Sequence, residues 1–155
     1  MPRHLSVEQT VQVARRLDRH EWTWAMSEIG PALEAAGLMP EAALDEPSIR
    51  IGHPALPGVP GFVVNRMEHA AVREVNITLT EVVQPADTAA QAVLDTVFRD
   101  CLDALISTFG DPDDYPKESV VAWDRGDALL KLRRLGIAVD LSLQGKNGER
   151  LRNGG

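Results

Sequence analysis

Three sets of residues in this 155-residue chain have types and spacings that bear on chemistry. The densest is Asp111-Pro-Asp113-Asp114. Adjacent carboxylates can hold a divalent cation through oxygen ligands, but the ligand spacing of a calcium-binding loop is absent. Gly110 and Pro112 are helix-exit residues and aspartate is a common turn residue, so a solvated loop with no bound metal is expected. The four histidines, His4, His20, His53 and His69, include no pair at the short helical spacing of a metalloprotease, and no cysteine cluster accompanies them. Surface or core roles are expected for them. Cys101 falls on the inward side of a helix, with acidic Asp100 and Asp103 as sequence neighbours. That setting opposes a reactive thiolate and suits a small buried apolar side chain. No nucleophile elbow, dinucleotide-binding turn or phosphate-binding Gly-Lys-Ser/Thr loop occurs. A site assembled from scattered residues such as Asp111, Asp113 and His69 is the enzymatic alternative. The main expectation is a protein that is not an enzyme and uses no cofactor.

Charge is more informative. The formal net charge is −7, which disfavours general nucleic-acid binding and suits a basic protein partner. From Asp87 to Glu118 eight acidic residues face two basic ones, Arg99 and Lys117, a local sum of −6. From Lys131 to Arg152 the balance reverses. A solvated helix face explains much of this pattern. The functional reading is an acidic docking surface that includes Asp111, Asp113 and Asp114 and speeds encounter with a basic partner. Trp22 and Trp24 offer a second location: they either cover the edge of the core or supply an exposed anchor for a partner.

The elements that must position these groups follow from periodicity. Ser6 and Gln9 form a capping box ahead of a helix bearing Val7, Val11, Ala14 and Leu17. A second helix covers part of Ala25 to Ala36 and ends at Gly37. The proline-rich stretch from Met39 to Pro60 reads as loop with a short edge strand at Ser48–Ile51. Phe62–Asn65 and Val72–Val82 read as strands joined by Met67–Ala71. Asp87 caps the longest helix, Thr88 to Phe109, with Val93 or Leu94, Val97, Cys101, Leu105 and Phe109 in an apolar stripe. Ser119 to Leu143 then reads as three strands, with glycine-bearing turns at Asp124–Asp127 and Leu135-Gly136 that call for positive φ. In the last strand Ile137, Val139, Leu141 and Leu143 should face the core, while Ala138, Asp140 and Ser142 face water. The fold class expected is α+β: a mainly antiparallel sheet in the order α-α-β-β-β-α-β-β-β with helices on one face. Residues 1–155 should form one domain, frayed from about 145 onward. No apolar run approaches the roughly 18 residues of a membrane span. The N-terminus is not a secretory signal and the single cysteine suits a reducing compartment, so a cytoplasmic protein without membrane contact is expected.

Thr108-Phe-Gly-Asp-Pro112, Trp123-Asp-Arg-Gly126, the leucine-rich hairpin through Leu143 and Trp22-Thr-Trp24 together resemble an uncharacterised family of small actinobacterial proteins. The resemblance spans most of the chain and brings no catalytic residue with it. Members look like immunity or accessory proteins that accompany secreted toxins, which implies a protein partner, possibly a basic toxin domain, bound by a monomer or homodimer. The α-β-β-β-α-β-β portion is also similar to secretion-chaperone folds, which implies as an alternative a protein that holds a client segment.

Overall fold

The computed structural model describes residues 1–41, 48–66, 71–117 and 119–146. Three helices, α1 (Val7–Arg19), α2 (Ile29–Ala36) and α3 (Thr88–Phe109), pack on one face of a sheet. The sheet strands are β1 (Met39–Pro40), β2 (Ser48–Gly52), β3 (Gly61–Arg66), β4 (Ala71–Thr78), β5 (Asp114–Lys117), β6 (Val120–Asp124), β7 (Ala128–Arg134) and β8 (Val139–Gly145). Their spatial order is β1-β2-β3-β4-β8-β7-β6-β5, with antiparallel neighbours throughout. The α+β class and element order agree with the sequence pattern, with β1 and β5 added as short edges. Both contain proline, which blunts an open edge because it cannot donate to a further strand. His69, Glu118, most of the 67–71 connection and residues 147–155 of the tail lie outside the described residues.

The local signals act where the sequence puts them. Ser6 Oγ accepts from Gln9 N at 3.0 Å and Gln9 Oε1 accepts from Ser6 N at 2.8 Å. Asp87 Oδ1 accepts from Ala90 N at 3.0 Å and starts α3. Leu94, Val97, Cys101 and Leu105 are buried, with Phe109 packed at the margin. Two cross-strand rows complete the core: Ile49, Val63, Val75, Leu143, Leu130 and Trp123, then Ile51, Ile77, Leu141, Leu132 and Val121. Alternation in each strand delivers one such row member every second residue, so register and burial agree.

Four details differ from the sequence reading. Ile137 is 41% exposed, because it belongs to the turn in which Leu135 N donates to Ala138 O, and β8 starts two residues later. Ala138, in the turn, and Asp140 and Ser142, in β8, are buried, not wet. Their strand is central, flanked by β4 and β7, so longer neighbours on the outer face (Asn76, Lys131 and Arg133) close over short side chains. Gly126 has φ 89°, as its turn demands, but Gly136 is not in the left-handed region. The strand expected to reach Val82 ends at Thr78, and beyond it Thr80 makes only an isolated bridge with His4.

Gly61 is fixed by close approach. A Cβ there would lie 2.9 Å from Ile77 Cα and closer still to Asn76 O, both backbone atoms of the adjoining strand. Neither can retreat without parting β3 from β4. Gly61→Ala should therefore cost about 3 kcal/mol, near the upper end for overpacking. A urea midpoint equal to that of the wild type would show that β3 can slide to make room.

Candidate functional site

The acidic loop is held by what precedes and follows it. α3 stops at Gly110, whose carbonyl accepts from Trp123 Nε1 at 2.9 Å. Trp123 is buried in β6, so the end of α3 is tied to the sheet and the loop must leave at a fixed point. Asp113 N donates to Ala122 O at 2.9 Å, and Asp113 Oδ2 accepts from Asp124 N at 2.8 Å. Asp111, Asp113 and Asp114 are all exposed and make no ion pair among the described residues. Their charge therefore reaches solvent from an ordered backbone.

Next to this loop is the turn between β6 and β7. Asp124 Oδ1 accepts from Gly126 N at 3.0 Å and from Lys146 Nζ. The Lys146 bond first, and then the turn amide, hold the Asp124 carboxyl below its usual range. Arg125 reaches across the molecule to Asp18 of α1, with Nε to Oδ1 at 2.9 Å and Nη2 to Oδ2 at 3.1 Å. Its guanidinium carbon lies 4.7 Å from the centre of the Phe109 ring. The Asp18 bond is the main reason its pKa is raised, and the nearby Asp113 charge adds to it. A bidentate pair stacked on an aromatic ring fixes both partners more firmly than an exposed single contact.

The tryptophans stand on the other side of the same turn. Trp24 is 3% exposed and Trp22 half-buried, with ring centres 4.4 Å apart. Trp24 has φ 65°, an unusual conformation for a bulky residue. It is over-determined from both sides: its carbonyl accepts from Val72 N at 2.7 Å, and its ring covers Gly145. A Cβ at 145 would come within 2.7 Å of Trp24 Cδ2. In the free chain Trp24 thus covers the core and shapes a wall, and only Trp22 has surface to offer. Both border a cleft of about 470 Å³ closed by Asp18, Glu21, Arg125 and Asp127. The two locations expected separately are neighbours, joined by the hairpin that carries Arg125. The 107-residue separation of Asp18 and Arg125 leaves no local signal, and periodicity could not have found it.

The remaining candidates are scattered. His4 Nδ1 is 2.8 Å from Leu5 O. His53 Nδ1 accepts from Ala55 N at 3.0 Å, and burial first, then the Arg16 charge, hold this histidine below its ordinary pKa. His20 lies beside Trp22. Cys101 is 1% exposed, and burial pushes its thiol up, away from thiolate chemistry. Among the described residues no three His, Cys, Asp or Glu side chains are grouped to hold a metal ion, and no helix is long and apolar enough to cross a membrane. A second, apolar groove of about 490 Å³ runs between the N-terminal segment and α3, lined by Met1, Leu5, Val7, Val93 and Val97.

A family model described as a family of unknown function, DUF6301, matches residues 8–145. No curated protein and no solved structure matches the chain.

Proposed function

The chain belongs to the DUF6301 family of unknown function, and from that premise we propose that it is a protein-binding module whose acidic edge docks a basic partner. The observation that carries the reading is the exposed set Asp111, Asp113 and Asp114, without an ion pair among the described residues and held on a backbone fixed by Trp123 and the β6 hydrogen bonds. Asp127 and Glu21 extend the same sign of charge around the adjoining cleft, where Trp22 gives apolar contact area. Such an edge steers a cationic surface and then offers it an aromatic contact, the division of labour between rate and lifetime seen at charged interfaces. An immunity-type protein that neutralises a basic toxin domain is the concrete form of this role. The apolar groove along α3 favours a second reading, a secretion-type chaperone that holds a client segment there.

The test needs a partner captured from the native host. Asp111→Asn, Asp113→Asn and Asp114→Asn together should leave the fold intact, since an asparagine at 113 can still accept from Asp124 N. Association should slow about tenfold at low salt and its salt dependence should flatten, because screening acts over about 8 Å at physiological ionic strength. Trp22→Ala should instead raise the dissociation rate. Normal association by the triple variant at low salt would remove the acidic loop from the mechanism. Turnover of a small molecule by the purified chain alone would overturn the binding reading.

A further inference from the structure

On a chain of net charge −7, the exposed face of α1 carries Arg15, Arg16 and Arg19. Arg16 has a structural use: its Nη1 lies over Gly37 at the C-terminus of α2, where a cation offsets the carbonyl charge. Arg15 and Arg19 are one turn apart on the same helix face and form no ion pair among the described residues. Both border two clefts, of about 350 and 230 Å³. In the larger, Asp18, Arg125, Phe109, Ser107 and Thr108 complete the lining. Arg125 is held by Asp18 through Nε and Nη2, and its Nη1 makes no hydrogen bond among the described residues. The same bond occupies both Asp18 oxygens, the carboxylate that would otherwise serve Arg15 or Arg19. The Thr108 hydroxyl already donates to Ala104 O, so the hydroxyl available to a ligand is that of Ser107.

We propose that this cleft, between the C-terminal ends of α1 and α3, binds a phosphate group through Arg15, Arg19 and Arg125. Guanidinium forks match phosphate oxygens in pairs, and three cations outweigh the one carboxylate, already bonded to Arg125, and the roughly half negative charge at each of the two helix C-termini. A single phosphate ester fits better than a nucleic acid strand. A polyanion continuing past the cleft toward the β6–β7 turn would meet Glu21, Asp113 and Asp127. The site adjoins the acidic edge: Asp18, Arg19 and Arg125 line both clefts, while Arg15 faces the phosphate cleft alone of the two.

The arginine Nε–Hε resonances of the full chain, followed while inorganic phosphate replaces chloride at constant ionic strength, test the site. Saturable shifts at Arg15, Arg19 and Arg125 are expected, with affinity falling about tenfold or more in the Arg15→Gln/Arg19→Gln variant. A phosphoserine peptide and ribose 5-phosphate then separate the two sources, a phosphorylated side chain or a phosphorylated small molecule. The source is whichever binds more tightly than inorganic phosphate. Shifts that never saturate, an unchanged affinity in the double variant, or no gain from either ester would each overturn the proposal.

Discussion

Leu141→Asp should leave the protein largely unfolded at room temperature. Leu141 is 1% exposed in β8, the strand that joins the two halves of the sheet, and is paired with Ile77 on one side and Leu132 on the other. Removing a buried leucine side chain already costs about 2–5 kcal/mol. A carboxylate in its place has no partner on this face, and must either lose its hydration or take up a proton, at a further cost of several kcal/mol. The sum is comparable to the roughly 5–15 kcal/mol that holds a domain of this kind together. Far-ultraviolet circular dichroism and a urea titration read the outcome directly. A variant that retains a cooperative transition near the wild-type midpoint would mean that position 141 faces solvent, and that the core rows are assigned to the wrong side of the sheet.

That experiment also probes how far the fold is legible in the sequence. Helix ends were readable because capping is local: Ser6 with Gln9, Asp87 with Ala90, and Gly37 at the close of α2 each satisfy orphan backbone groups within a few residues. The core rows were readable because a period of two is written along each strand. What sequence could not supply was the lateral order of strands. β8 lies beside β4, more than sixty residues earlier in the chain, and the pairing Asn76↔Ser142 and Thr78↔Asp140 turns a nominally wet face into a buried one. A strand read alone is assigned one solvated face, whereas a central strand between long polar neighbours need not have one. The site follows the same division. The aspartates of the 111–114 loop are clustered and visible in the sequence, but their proximity to Trp22 and Trp24 comes from the long-range packing that also brings Asp18 to Arg125, which no periodicity encodes. Arg15 and Arg16 fall off the apolar stripe of Val7, Val11, Ala14 and Leu17 and so on the outward face of α1. Only the packing of α1 against the end of α3 shows that Arg15 and Arg19 share a cleft with a third guanidinium.

Arg133→Met should destabilise the protein much more than Asp140→Leu, although the two residues form a single ion pair. Asp140 is 4% exposed and accepts from Arg133 Nε at 2.7 Å, from Arg133 Nη2 at 2.6 Å and from Asn76 Nδ2 at 3.0 Å. The Arg133 side chain is 31% exposed, and the Asp140 bond is the main cause of its raised pKa. If the aspartate is replaced, the guanidinium can turn toward water and rehydrate, so the loss should be about 1–2 kcal/mol, chiefly the charged hydrogen bonds. If the arginine is replaced, a buried carboxylate is left with Asn76 alone, and the expected cost is about 3–5 kcal/mol. The double variant Arg133→Met/Asp140→Leu removes both charges and restores an apolar contact between β7 and β8. It should recover most of the stability lost in Arg133→Met, because the single variant is penalised by the stranded charge more than by the loss of the pair. Equal losses for the two single variants would show that Asp140 reaches solvent in the folded protein. A double variant no more stable than Arg133→Met would show instead that the pair contributes net stability at the centre of the sheet.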